Sequence, residues 1–127
     1  MIPMLDRAVQ DALAAGFSGL CACGEMSWVL DEAPGSNRLA EYEARLNDFY
    51  RVNKAIGLCL YDRSVLPSDV LDHSIATHRH IHLEGPILLE NPFYEPDDRA
   101  IHRRAADAEI VIEKIDILEA TRTALMA

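Results

Sequence analysis

Apolar side chains recur along the first half of the chain at spacings that predict alternating helices and strands. Near the N-terminus they repeat every three or four residues, which predicts an amphipathic helix over residues 4–15. The compact stretch 17–23 lies between two glycines and is expected to be a buried strand. Ser36 can cap a second helix, because its hydroxyl is followed by an apolar stripe over residues 39–50.

The second half of the chain continues this alternation. Residues 55–61 form a near-continuous apolar run, which is typical of a strand covered on both faces of a parallel sheet. Pro67 opens a short helix that is expected to end near Thr77, and residues 80–90 predict two short strands joined by a turn. Pro96, followed by two aspartates, predicts the start of a helix that continues nearly to the C-terminus.

The order of these elements predicts an α/β fold with a mainly parallel, three- to four-stranded sheet, flanking helices and a long C-terminal helix. That last helix carries apolar residues at heptad spacing: Ala108, Val111, Ile115, Leu118 and Leu125. Two explanations fit this stripe equally well. It is the seam of a homodimer, or it packs on the sheet of its own chain. We therefore expect one module over residues 1–97, a signalling or dimerisation helix over residues 98–127, and a homodimer that forms through this helix.

Composition excludes several classes of protein. A chain of 127 residues, half of them apolar, predicts one domain. The net charge of −9 has the wrong sign for neutralising phosphates, so direct nucleic-acid binding is not expected. No apolar run approaches the roughly 20 residues that span a bilayer, and the N-terminus lacks a signal-peptide pattern. We expect no membrane partner and a cytoplasmic location.

Motifs for nucleotide binding, hydrolysis and zinc-dependent proteolysis are missing from the chain, which predicts a protein without catalytic residues or cofactors. Chemistry-bearing residues do follow both main strands: Glu25 and Trp28 after the first, Tyr61 and Asp62 after the second. Ligands of open parallel sheets bind at the carboxyl ends of the strands, so these residues predict a ligand crevice. In the alternative, Met26 and Trp28 are core residues and Glu25 is solvated.

Cysteines and histidines raise the question of a metal site. Cys21 and Cys23 share one side of a strand and Cys59 lies in the next strand, so a histidine from residues 73–82 would complete a zinc-like set. The paired CxxC spacing of structural zinc sites is missing, and reduced thiols that act as small hydrophobes explain the cysteines more simply. Exposure on an edge strand explains the histidines. We expect well under one zinc per chain.

Six segments occur in an order that resembles one family: GFSGL, GEMSW, YEARLN, LCLYD, THRHIHLEG and ENPFYEP. Together they resemble the C-terminal half of the MEDS domain, a methanogen/methylotroph sensory domain of the DcmR type, over residues 4–97. The resemblance implies half of a RecA-like or Rossmann-like sandwich. It also implies an input module that works beside a kinase, regulator or DNA-binding part, with hydrocarbon derivatives as ligands. Because the domain's preceding half is missing, we expect a fragment, a truncated relative or a module completed by a partner.

The resemblance also adds residues to the expected ligand site. It implies contacts from Glu43, Cys59 and His78, and it places Cys21 close to a position where the family usually has arginine. The complete expected set is Cys21, Glu25, Trp28, Glu43, Cys59, Tyr61, Asp62 and His78. We therefore expect a sensory module of a signalling or transcription-regulatory system that binds a small organic molecule. The alternative is a non-catalytic scaffold that acts by dimerisation, which a fully packed strand edge without a pocket would favour.

Overall fold

The computed structural model describes residues 1–31, 38–96, 99 and 106–127. Its helices and strands are α1 (Ile2–Ala14), β1 (Leu20–Glu25), a 3-10 helix (Ser27–Asp31), α2 (Leu39–Val52), β2 (Ala55–Leu60), α3 (Ser68–Thr77), β3 (His80–Ile81), β4 (Leu89–Glu90) and α4 (Ala108–Met126). They form two compact units, Met1–Asp62 and Arg63–Ala127. The predicted cap at Ser36 and the helix start at Asp97 and Asp98 lie outside the described residues.

The predicted α/β fold with a parallel sheet and a C-terminal helix is confirmed, but the sheet is smaller than expected. β1 and β2 pair in parallel, in a register that runs from Leu20 opposite Ala55 to Glu25 opposite Leu60. β3 and β4 pair only with each other, antiparallel and over two residues each. The expectation of three to four strands in one sheet is therefore wrong for the described part of the chain.

The two faces of the β1–β2 sheet differ. On one face the ring of Tyr50 in α2 lies against Gly57, where a larger residue would collide with it. On the other face the side chains of Ile56, Leu58 and Leu60 are exposed, Ile56 to 71%. The prediction that the second strand is covered on both faces is wrong. Successive side chains of a strand point to opposite faces, so Ile56, Leu58 and Leu60 lie together on the face that is left exposed.

Buried apolar side chains form a core in each unit. In the first unit they are Val9, Met26, Leu39, Ala44, Leu46 and Phe49. In the second unit they are Leu66, Ile75, Ala76, Leu89, Val111 and Leu118. Met26 is only 2% exposed, so the interpretation of Met26 as a core residue is confirmed. None of the described helices is both long enough and apolar enough to cross a membrane.

The heptad stripe of the C-terminal helix is only partly available to a partner. Val111 and Leu118 are each 2% exposed and belong to the core of the second unit, where α4 packs on α3. Ala108 and Leu125 are exposed, and Ile115 is half-buried. Packing within the chain thus explains the two buried positions, although the partner element is a helix rather than the predicted sheet.

Gly19 marks a close approach of two backbone segments just before β1. A Cβ atom at Gly19 would stand 2.5 Å from the carbonyl oxygen of Lys54, which accepts a hydrogen bond from the Leu20 N–H at 2.9 Å. Backbone cannot yield as a flexible side chain does, so Gly19→Ala is expected to lower the free energy of unfolding by about 1–3 kcal/mol. Urea denaturation measures this loss.

Gly24→Ala is the matched control for this glycine. The nearest atom to a Cβ at Gly24 is the sulfur of Met26 at 3.9 Å, an ordinary van der Waals distance. Gly24→Ala should therefore cost less than Gly19→Ala. Equal costs would contradict the steric argument and point to a general loss of strand stability.

Candidate functional site

Aromatic residues converge where the first strand ends. Trp28 lies in the 3-10 helix directly after β1, and its ring meets that of Tyr42 in α2 edge to face, with centroids 5.9 Å apart. The hydroxyl of Tyr42 donates to the sulfur of Met1 at 2.7 Å. Burial, and then the charge of the neighbouring Glu43, raise the pKa of Tyr42 to about 12. Tyr42 is therefore a neutral phenol at physiological pH.

A buried carboxylate lies beside these rings. Glu43 is 2% exposed, and the hydroxyl of Tyr61, the residue directly after β2, donates a hydrogen bond to its Oε1 atom. Burying a carboxylate is costly unless it is hydrogen-bonded, so Tyr61 helps to hold Glu43 in place. Burial and the Glu43 charge both disfavour a phenolate and raise the pKa of Tyr61 far above its usual value.

Cys59 completes what we call the Glu43 cluster: Trp28, Tyr42, Glu43, Cys59 and Tyr61. Burial, then Glu43, then Cys23 raise the pKa of the Cys59 thiol to about 12. A thiol is a good nucleophile and metal ligand only as the thiolate. The cluster thus combines one buried carboxylate with phenols and a thiol that remain protonated, an arrangement suited to hydrogen bonding rather than to nucleophilic attack.

The remaining predicted residues of the first unit do not join this cluster. The strand register places Cys21 opposite Ile56, on the open face of the sheet, whereas Cys59 lies on the other face. The Glu25 carboxylate accepts hydrogen bonds from the backbone N–H and hydroxyl of Ser27, at 2.9 and 2.5 Å, and so closes a local turn. Asp62 is exposed at the end of the unit.

Neither of two clefts formed by the described residues is lined by Glu25, Trp28 or Tyr61. One lies between α1 and α2 in the first unit, and the other lies between α3 and α4 in the second. Trp28 and Tyr61 therefore belong to a cluster of polar and aromatic side chains that lines neither of these two clefts.

His78, the predicted contact from the second unit, caps a helix. Its Nδ1 atom lies 2.7 Å from the carbonyl oxygen of Ser74, and the Asn91 amide donates to the carbonyls of Ile75 and His78 at 2.5 and 2.7 Å. The N–H of Phe93 donates to the Asn91 side chain at 2.9 Å. The Asn91 bonds satisfy carbonyl groups at and just after the end of α3, so the NPFY segment has a structural role here.

Comparison with known protein families identifies the chain. The family model of the MEthanogen/methylotroph, DcmR Sensory domain (MEDS) matches residues 1–79, more than half of the chain. The chain belongs to the MEDS family. No match is found among curated proteins or among solved structures.

The extent of the MEDS match corrects the expected one. Residues 1–79 are the N-terminal part of this chain, whereas the quoted segments suggested residues 4–97 and the C-terminal half of the family domain. The matched region includes the Glu43 cluster and α3 but not the NPFY segment or α4. The assignment to the C-terminal half is not supported by the match.

Two features of this MEDS chain escaped the sequence analysis. Tyr42 begins the YEARLN segment of the resemblance but is not among the expected ligand contacts, although its ring contacts Trp28. Asp72, which is completely buried, accepts hydrogen bonds from Lys114 Nζ at 2.9 Å and from the Ala106 N–H at 2.8 Å. A lysine among the apolar residues of α4 was the available signal, because such a charge requires a buried partner.

The three cysteines of the MEDS chain are free thiols with different accessibility. Cys21 and Cys23 are exposed, whereas Cys59 is half-buried with a pKa of about 12. At pH 8 only about one Cys59 thiol in ten thousand is ionised, since the thiolate fraction falls tenfold for each unit between pH and pKa. A disulfide reagent such as DTNB should therefore titrate two thiols quickly and the third only after unfolding.

Cys59→Ser is the control for this titration. It should leave both fast thiols in the native protein and remove the slow one. Three thiols reacting at one rate in the native wild-type protein would contradict the buried, protonated state of Cys59.

Proposed function

We propose that this chain is a sensory input module that binds a small organic molecule of the hydrocarbon-derivative class and has no catalytic activity of its own. Its membership in a sensory-domain family supports the first part of the proposal. The observation that carries the ligand site is the Glu43 cluster, in which a carboxylate that is 2% exposed accepts a hydrogen bond from Tyr61. A kinase or transcription regulator would receive the signal.

The chemistry of the Glu43 cluster suits a ligand with both apolar and polar parts. The rings of Trp28 and Tyr42 provide an aromatic surface. The Glu43 carboxylate, which accepts a hydrogen bond from Tyr61, is the polar group that a ligand hydroxyl would contact. Because Glu43 is only 2% exposed, ligand access to its carboxylate requires side chains such as Trp28 to move.

The proposal that the chain has no catalytic activity follows from protonation in the same cluster. Nucleophilic catalysis needs an activated nucleophile next to a base. The raised pKa values of Cys59 and Tyr61 have the opposite effect, because they keep both groups protonated and unreactive. Robust turnover of any substrate by the purified chain would overturn this part of the proposal.

The test uses Trp28, the only tryptophan of the chain, as a reporter. Thermal unfolding and tryptophan fluorescence are measured against a panel of small alcohols, ketones and halogenated hydrocarbons. A ligand that binds the folded state must raise the unfolding temperature by mass action. Tyr61→Phe should weaken this binding, whereas Tyr94→Phe, which alters a tyrosine of the second unit, should not.

The outcomes of the panel separate a binder from a non-binder. Trp28→Phe should abolish the fluorescence response but retain at least part of the thermal shift. Ligands that stabilise the wild-type and Tyr61→Phe proteins equally would place binding outside the Glu43 cluster. A panel that produces neither response would overturn the proposed ligand class.

A scaffold that acts by dimerisation is the second candidate, and one observation favours it. Ile110 and Ile117 of α4 are exposed and stand seven residues apart, so both lie on the same side of the helix. Light scattering of the wild-type chain and of the Ile110→Asp/Ile117→Asp variant tests a seam at these residues. A monomeric wild-type protein, or a dimer that persists in the variant, would overturn the proposal that Ile110 and Ile117 form a dimer interface.

A further inference from the structure

The second unit contains an apolar cleft between α3 and α4. Its volume is about 280 Å³, and its lining includes the aliphatic side chains of Leu71, Ile112 and Ile115. Ligand pockets typically have volumes from roughly 300 Å³ upward and are mainly apolar with a few polar groups. This cleft therefore suits a compact ligand at the small end of that range.

Three polar side chains line the same cleft: Arg63, Ser68 and Asp116. The guanidinium of Arg63 is already engaged, since its Nη1 atom lies 2.7 Å from Oε1 of Glu119. Within the part of the chain that the structure describes, the side chains of Ser68 and Asp116 make no hydrogen bond or ion pair. The lining thus offers a carboxylate and a hydroxyl beside aliphatic side chains.

The charged side chains at the cleft determine which polar group a ligand would need. Among the described residues that line the cleft, Arg63 contributes one positive charge and Asp116 one negative charge, and Glu119 already pairs with Arg63. A ligand carboxylate would be repelled, and a pure hydrocarbon would leave Asp116 partly desolvated without a partner. A protonated amine would instead donate to Asp116 while its carbon skeleton covers Leu71 and Ile115.

We propose that this cleft is a binding site for a compact aliphatic amine. It is separate from the Glu43 cluster, because every residue that lines it belongs to the second unit. The proposal goes beyond the proposed function in assigning a second site and a cationic ligand class. A bound amine would contact both α3, which lies inside the MEDS match, and α4, which lies outside it, so binding would strengthen the packing of α4 on α3.

The experiment compares three probes of one shape on the full chain: cyclohexylamine, cyclohexanol and cyclohexanecarboxylate. Binding is followed at pH 7 by isothermal titration and by chemical-shift changes in a two-dimensional NMR spectrum. The amine should bind saturably and shift resonances of α3 and α4. The alcohol should bind more weakly, and the carboxylate should not bind. If the three probes shift the same resonances equally, the charge argument is overturned.

Variants of the lining test the location. Ala108→Phe places a ring in the cleft and should abolish amine binding, whereas Ala124→Phe, at an exposed alanine of α4 outside the cleft, should preserve it. Asp116→Asn should weaken binding about fivefold, the effect of losing one partly exposed ion pair, and the matched Glu113→Gln should not. Ile112→Phe replaces Ala108→Phe if circular dichroism shows that Ala108→Phe does not fold.

Two results would overturn the site. One is amine binding that survives both cleft-filling variants, and the other is equal weakening by Asp116→Asn and Glu113→Gln. Tyr61→Phe separates this proposal from the proposed function, because it should leave amine binding unchanged while weakening binding at the Glu43 cluster. Each site can therefore fail without the other.

Discussion

Asp72→Ala is expected to destabilise the second unit by about 3–5 kcal/mol, the usual cost of removing one partner from a buried ion pair. Asp72 is completely buried and Lys114 is 16% exposed at its side chain, so the ammonium would be left in an apolar environment without its counter-charge. The Ala106 N–H would lose its acceptor as well. Urea unfolding of the wild-type and variant chains measures the loss.

Two further variants show whether the pair itself is responsible. Asp72→Leu/Lys114→Met removes both charges and fills similar volumes, so it should be much closer to wild type than Asp72→Ala. Asp48→Ala breaks the exposed pair between Asp48 and Arg51 and should cost no more than about 1 kcal/mol. A cost for Asp72→Ala as small as that for Asp48→Ala would contradict the buried ion pair.

The sequence patterns located most helices and strands, because the spacing of apolar residues within one element depends only on residues close to each other in the sequence. The run at 55–61 became β2, and the helix expected from Pro67 to Thr77 became α3 almost residue for residue. The strand expected at 17–23 begins three residues later, at Leu20, and leaves Phe17 exposed. Strand boundaries depend on pairing, and the ladder here starts only where Leu20 meets Ala55.

The size of the sheet and its open face could not be obtained in the same way. An apolar run such as AIGLCL predicts a buried strand whether one or both faces of its sheet are covered. The elements that cover a face come from distant parts of the sequence, so the run itself does not specify them. Ile56 and Leu58 lie on the open face of this sheet, although the apolar run that contains them predicts buried residues. The two-residue strands β3 and β4 carry too few side chains to specify a partner.

The candidate site was only partly predictable for a related reason. The rule that ligands gather at the carboxyl ends of parallel strands selected Trp28 and Tyr61, and both belong to the Glu43 cluster. The same rule selected Glu25, which instead closes a turn with Ser27. The position of a residue in the sequence places it at the end of a strand but does not determine which side chains it contacts.

Motif resemblance identifies a family without stating what each residue does. The resemblance implies that His78 contacts a ligand, but in the structure its ring contacts the carbonyl of Ser74 near the end of α3. Asp72 and Lys114 are 42 residues apart and belong to no quoted segment, so only the three-dimensional packing reveals that they pair.

The first unit is expected to unfold in mild alkali, between about pH 9 and pH 12. The window follows from two pKa values that the fold raises: Cys59 from 9.0 to about 12 and Tyr42 from 10.0 to about 12, with Tyr61 raised further. The folded unit binds these protons more tightly than the unfolded chain does. Its stability is therefore fully present below pH 9 and is lost as the pH rises toward the folded values. Trp28 fluorescence and tyrosinate absorbance follow the transition, with reductant present.

Tyr61→Phe tests which group dominates this transition. The variant removes a phenol that must stay protonated in the folded state, so its stability should fall less steeply with pH above pH 10. At neutral pH the variant should instead be less stable than wild type by about 1–3 kcal/mol, because buried Glu43 loses a hydrogen-bond donor. Tyr94→Phe, in the second unit, should change neither value. Tyrosinate absorbance that rises fully before the Trp28 signal changes would show that the tyrosines of the cluster ionise inside the fold, contrary to the burial described here.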